Sequence, residues 1–395
     1  MRLVAVELRF VILQLVSPLE SSAARYAERP VVLVRVAAED GSEGWGECGA
    51  LAAPTYSAEY AEAAAAVLAD HLVPRLLTGG PLADEDPIED AMARLGAVRG
   101  HHMAKAAVEM ALLDVVLRAE GRSLASYLGA QALRVPAGAT VSLGTPEAVL
   151  AAVDQVVAAG YTRVKCKVAP GQDVAALRAV RRAHPLLAVS ADANGSYRLE
   201  RAEDRRALLR LDELGLLAIE QPLPANDLLG HAEIAEALVT PVLLDESIED
   251  AADLTAALAL GACDGVSIKP GRLGGIRAAA RAHDACLAAG LHCSIGGLFE
   301  TGLARGAHIA LGALPGFDLP GDLGASDRYY APDLCAPHVL DHSSLLVPDG
   351  PGIGRVPDPD RLAATTRRVA TTRPGTGPSE PLTWTAAPGG RGGSA

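Results

Sequence analysis

Six charged residues, Lys165, Lys167, Asp192, Glu220, Asp245 and Lys269, are spaced so that folding could gather them at one place. From Asp192 to Glu220 is 28 residues, from Glu220 to Asp245 is 25, and from Asp245 to Lys269 is 24. Each interval suits one strand with its following helix. Each residue lies at or near the end of a short apolar run: TRVKCKV (162–168), LLAVSAD (186–192), LLAIEQP (216–222), PVLLDES (241–247) and DGVSIKP (264–270). A single charge at a strand end is ordinarily a solvated loop residue, and one Lys-x-Lys pair is equally bland. The joint pattern is hard to reach by chance. Three carboxylates with no His or Cys among them suit a hard cation, Mg²⁺ or Mn²⁺.

Alternation along the strands sharpens this reading. Lys165 and Lys167 share one strand face, while Val164, Cys166 and Val168 share the other. In a barrel the apolar set faces the helices and the lysines point inward. Inward charges are costly without partners, and three carboxylates with three lysines supply one another.

Such residues need a frame that delivers strand ends to one rim. The five runs join ATVSLG (139–144), LHCSIGG (291–297) and FDLPGD (317–322), all alternating with Ala/Leu-rich segments of helical length. Eight strands at this repeat predict a parallel barrel, with the charges at the C-terminal strand ends where barrel active sites lie. An open doubly wound sheet is the rival, but no GxGxxG follows the first strand of the series. Ahead of the barrel, VAVELRFVILQL, VVLVRVAAED and GWGEC read as three strands. Helical patterns over 56–77, 86–97 and 101–128 complete an α+β unit. From about 366 onward Pro, Gly, Thr and Ser dominate, so 366–395 is expected to be a disordered tail, with Trp384 a weak sign of docking.

With 395 residues, half of them hydrophobic, the chain can bury a large core. Its net charge of −13 argues against nucleic acid or anionic membranes as main partners. Six cysteines with no CxxC pair, mostly in apolar runs, read as buried thiols of a reducing cytoplasm. Residues 1–20 carry Glu7 and Arg9 within their apolar run, which fits a strand better than a signal peptide, and no stretch suits a bilayer span.

The ordered motifs resemble the branch of the enolase superfamily containing o-succinylbenzoate synthases and N-acylamino acid racemases. They are GWGEC (44–48), HMAKAAVEMALLD (102–114), KCK (165–167), DAN (192–194), EQPL (220–223), LDES (244–247), IKPGRLGG (268–275), GGLFETG (296–302) and LPGDLGASDRYY (319–330). The resemblance implies an α/β fold, a (β/α)₇β barrel under an α+β capping domain. The cap would comprise residues 1–127 with a returning segment over 328–365, and the barrel 128–327. It implies Asp192, Glu220 and Asp245 as ligands of Mg²⁺ or Mn²⁺, and Lys167 and Lys269 as an acid/base pair aided by Lys165. The implied chemistry is removal of a proton next to a substrate carboxylate, whose dianionic enediolate such a cation and a flanking ammonium would stabilise. The base lysine must be neutral, and nearby positive charge would lower its pKa from the ordinary ~10.4, Lys165 and the metal acting on Lys167 and Arg272 on Lys269. Asn194, Glu246 and Arg272 would support these groups, and Ser142, Gly297 and Leu298 would contact substrate. The implied partner is a small carboxylate substrate, and a homo-oligomer is the expected assembly.

The favoured reaction is the menaquinone-pathway type of dehydration, o-succinylbenzoate synthesis. N-acylamino acid racemisation in the same site is the alternative. A dipeptide epimerase is disfavoured because Gly321-Asp322-Leu323-Gly324 lacks an Asp-x-Asp pair, and a non-catalytic scaffold because every ligand is kept. The loop over 18–25 lacks the family's Phe-Gly pair, a departure that bears on substrate choice more than on chemistry. His101 and His102 read as structural or solvated.

Overall fold

The computed structural model describes residues 1–20, 24–372 and 382–387. Its first strands are β1 (Leu3–Glu20), β2 (Arg25–Ala38) and β3 (Glu43–Glu47). A short β4 (Arg134–Pro136) leads into seven parallel strands. These are β5 (Ala139–Val141), β6 (Arg163–Lys167), β7 (Ala188–Asp192), β8 (Ile219–Glu220), β9 (Val242–Leu244), β10 (Gly265–Ile268) and β11 (His292–Ile295). Then come β12 (Ser344–Leu346), β13 (Thr366–Thr372) and β14 (Thr385–Ala386).

The antiparallel sheet runs β14-β13-β1-β2-β3. Helix His102–Ala119 packs on it at very short range. A Cβ on Gly44 would stand 2.2 Å from the Ala111 carbonyl oxygen, and one on Gly46 2.0 Å from that of Ala107. Only glycine fits there, which explains the spacing of GWGEC. The helix is buried nearly all round, and its polar members are consumed in docking. Asp114 accepts from the Trp45 N–H at 2.9 Å and the Ile353 N–H at 2.8 Å. Glu109 accepts from the N–H groups of Ile276 and Arg277 at 2.7 and 2.8 Å, capping barrel helix Ile276–Ala288. Glu47, at the end of β3, likewise receives the Thr301 N–H at 2.9 Å and the Thr301 hydroxyl at 2.6 Å, ahead of helix Gly302–Gly312. Two carboxylates of the N-terminal unit thus close the starts of two barrel helices.

The parallel sheet follows the strand series read from the sequence through seven members, each joined to the next by helix. The eighth differs. Residues 317–322 are not a regular strand, although Leu319 N donates to Cys293 O (3.2 Å) and Asp322 N to Ile295 O (2.8 Å). Gly138 N in turn donates to Leu323 O at 3.3 Å. Pro320 has no amide proton to give, so the segment closes the ring between β11 and the start of β5 without a full ladder.

The expected tail needs correction too. Thr366–Thr372 pairs antiparallel with β1 from Val6 to Val11, and β14 adds to it at Arg368 and Val369. Alternating Val369 and Thr side chains can form a strand once β1 offers an edge. Residues 373–381 and 388–395 lie outside the described residues. Among the described residues, no helix is long and apolar enough to cross a membrane.

Candidate active site

Strand register builds the site. Lys167 on β6 stands opposite Asp192 on β7, and Asp192 opposite Glu220 on β8. Asp245 and Lys269 follow directly after β9 and β10. All point into the ring, whereas Val164 and Cys166 join the apolar core outside it. The Lys165 ammonium reaches Glu220 at 2.9 and 3.0 Å and Asp192 at 3.1 Å, and also bonds Asp322. Lys167 Nζ lies 2.7 Å from Asp192 Oδ2 and 2.8 Å from Asn194 Oδ1. Asn194 passes the link to Glu246, donating from Nδ2 at 2.8 Å. On the far side Lys269 Nζ lies 2.7 Å from Asp245 Oδ2, and Arg272 bonds the other oxygen of that carboxylate.

These contacts fix the electrostatics. Burial pushes the Asp192 carboxyl up, but Lys165 and Lys167 outweigh it and hold the group below the usual range. Asp245 is lowered in the same way by Lys269 and Arg272. Glu220 is raised by burial to about 7, and Glu246, buried beside Asp245, to about 8. Burial alone would lower Lys165 and Lys269, yet the facing carboxylates keep both above the ordinary lysine value. The lowering of Lys269 expected from Arg272 is outweighed by Asp245, whose carboxylate lies 2.7 Å from the ammonium. Asn194, Gln221 and Phe299, just beyond strand ends, have left-handed φ of 44°, 41° and 60°. Such conformations cost of order 1–3 kcal/mol and cluster where backbone must present functional groups.

A cavity of about 220 Å³ lies between the strand ends and the N-terminal unit. Lys167 and Lys269 both line it, as do Ser142, Asn194, Glu246, Gly297 and Leu298. Leu19, Tyr26, Leu51 and Tyr56 supply the opposing wall. All the sequence-predicted residues are thus brought together, with Arg272 just behind. Residues 21–23 of the atypical loop lie outside the described residues.

Two residues at the site escaped the sequence reading. Tyr56, from the loop after β3, donates to Asp245 Oδ1 at 3.0 Å. Its hydroxyl accepts from Arg272 Nη1 at 2.7 Å and Lys269 Nζ at 3.2 Å. Asp322 joins Lys165 to Arg163, whose Nη1 lies 2.6 Å from Asp322 Oδ1. Its place in the eighth segment was the available signal. Tyr56 falls at the start of the 56–77 segment read as helical, but the helix begins only at Ala61 and Tyr56 lies in the loop before it, so that reading gave no sign of its role.

The donor set suits a hard cation. Asp192, Glu220 and Asp245 offer oxygen only, and the buried Glu246 Oε2 has no hydrogen-bond partner. Among the described residues no three such groups converge on one point at ligand distances. Lys165 stands between Asp192 and Glu220, and Lys269 and Arg272 hold Asp245.

Comparison with known proteins agrees with this architecture. Residues 5–129 match the mandelate racemase / muconate lactonizing enzyme N-terminal domain, and residues 148–361 the enolase C-terminal domain-like family. The chain is 45% identical to an N-succinylamino acid racemase from Amycolatopsis sp, over 93% of this chain and 99% of that protein. It is 40% identical to an o-succinylbenzoate synthase from Geobacillus stearothermophilus, over 88% of this chain and 91% of that protein. A solved probable mandelate racemase from Alicyclobacillus acidocaldarius superposes with a TM-score of 0.87 at 38% identity, covering 95% of this chain and all of that one. Barrel, N-terminal unit and matched residues agree: the chain is an enzyme of the enolase superfamily, in the branch of the o-succinylbenzoate synthases and N-succinylamino acid racemases.

Proposed function

We propose that the site removes a proton next to a substrate carboxylate, dehydrating a succinyl-bearing cyclohexadiene carboxylate to o-succinylbenzoate. The observation that carries this is the pair of lysines, Lys167 and Lys269, lining one cavity from β6 and from the end of β10. Lys167 takes the proton and returns it to the departing hydroxyl, which leaves as water, while Lys269 steadies the enediolate with its charge. Mg²⁺ or Mn²⁺ held by Asp192, Glu220 and Asp245 would supply charge stabilisation for the substrate carboxylate. Were Asp245 to serve as a ligand, Lys269 would lose the partner that holds its pKa up and could itself act as a base. Ser142, Gly297 and Leu298 meet the remainder of the substrate.

Racemisation of N-succinylamino acids is the second reading, favoured by the presence of a lysine on each side. The proton removed by one lysine is then replaced from the other. The setting that goes with this function is cytoplasmic and of the menaquinone-pathway type, with the chain in a homo-oligomer; the buried thiols support the compartment. The test is to assay both substrates with Mg²⁺ and after its removal by chelation. Metal-dependent turnover of the cyclohexadiene carboxylate is expected, with racemisation beside it. Turnover of neither substrate would reject the proposal.

A further inference from the structure

We propose that Tyr56 is a positioning residue for Lys269, so that a loop of the capping unit governs the second base. This rests on the two-lysine reading given above. The Tyr56 hydroxyl has one proton and two lone pairs, and all are assigned. The proton goes to Asp245, while the lone pairs receive Arg272 and Lys269. The Lys269 ammonium also lies 4.6 Å from the centre of the Tyr56 ring. The Lys269 ammonium itself is held by few groups: Asp245, the Tyr56 hydroxyl and the Tyr56 ring. When Lys269 is a neutral amine, its lone pair must face the α-carbon. An N–H donated to the Tyr56 oxygen sets that orientation.

The loop is itself anchored. Ala61 N donates to Leu51 O at 2.8 Å, and Thr55 Oγ1 lies 2.6 Å from the Tyr26 hydroxyl. Leu51, Thr55 and Tyr26 all face the cavity. A substrate side chain pressing on them therefore acts on Tyr56, and through it on Lys269. Lys167 has no such link, because its partners Asp192 and Asn194 both come from the barrel. Tyr56 should accordingly matter for racemisation, which needs both bases, more than for dehydration, in which Lys269 serves mainly as a charge.

The test is exchange of the α-proton with deuterated solvent, followed separately for the two enantiomers of N-succinylvaline on the Mg²⁺-loaded full-length enzyme. Lys269→Ala identifies the enantiomer handled by Lys269, because exchange of that one alone is lost. Tyr56→Phe keeps the ring and removes only the hydroxyl. It should slow exchange of that same enantiomer about tenfold, below the roughly 10²–10⁴-fold that a whole acid–base group contributes, and change the other by less than about twofold. Tyr56→Leu should deepen the loss on the same face. Equal slowing of both by Tyr56→Phe, or of neither, overturns the assignment while leaving the proposed reaction standing. A wild-type enzyme that exchanges neither enantiomer and dehydrates nothing rejects the reaction itself, and the role of Tyr56 with it.

Discussion

Asp322 lies where two buried cations meet, Lys165 on one side and Arg163 on the other. Arg163 depends on it, having no other carboxylate within ion-pair distance among the described residues, whereas Lys165 on the same strand also has Asp192 and Glu220. Removing one partner from a buried pair leaves an uncompensated charge and costs about 3–5 kcal/mol. Asp322→Ala should lose that much stability at pH 7 in chemical denaturation, and Asp322→Asn less, since its amide oxygen still accepts. Burial raises the carboxyl, but Lys165 and Arg163 prevail and bring it to about 2. The folded value lies below the unfolded one near ~3.9. Its contribution is therefore present above pH ~4 and lost as the pH falls toward 2, and the gap between wild type and Asp322→Ala should close over that window. An Ala variant as stable as wild type at pH 7 would show that Asp322 is not holding the pair. Among the site residues, those at regular strand ends could be read from spacing alone. Asp322 and Tyr56 could not, because each sits on irregular chain whose position is set only by its neighbours.

At the level of elements, helix Ile276–Ala288 begins on glycine, without a side-chain cap of its own. Glu109 serves in its place from a helix of the N-terminal unit. Burial raises Glu109 to about 7, against the backbone N–H groups that favour its charged form. The folded value is above the unfolded one, so the favourable contribution is complete below the unfolded pKa and fades as the pH rises to about 7. Glu109→Gln abolishes this titration. Relative to wild type, the variant should gain stability between pH 5 and pH 8, by an amount of the order of 2 kcal/mol. Urea midpoints of both proteins at the two pH values give the result, and parallel midpoints would refute it. The element pattern itself was legible because apolar runs and helical spacing are local properties. The run LLAIEQP was overread as seven strand residues, whereas only Ile219–Glu220 form a strand. Gln221 turns left-handed to receive the amides of Asp245 and Ser247, a tertiary demand that no local pattern announces.

Across the whole molecule, the C-terminal chain is part of the structure that holds the N-terminal unit together. The guanidinium of Arg368 on β13 lies 4.3 Å from the Phe10 ring centre and 4.8 Å from that of Trp384. Leu382 is buried in the same core as Val6 and Leu8. Composition suggested disorder here because Thr, Arg and Pro cannot build a core by themselves; β1 supplies the apolar surface they pack on. β14 also covers the outer edge of β13, which would otherwise offer unpaired backbone to another chain. Deleting residues 373–395 removes the Trp384 stack and the Leu382 contact. One buried leucine and one cation–π pair together amount to about 2–4 kcal/mol. The truncated chain should melt at lower temperature and associate through the bared edge, seen as a mass increase in light scattering at raised concentration. None of the described residues beyond 366 lines the cavity. The fraction that keeps the wild-type assembly should therefore keep its kcat/KM for either substrate within about twofold. A large fall in kcat/KM with unchanged melting would instead mean that the tail acts on the site and not on the fold.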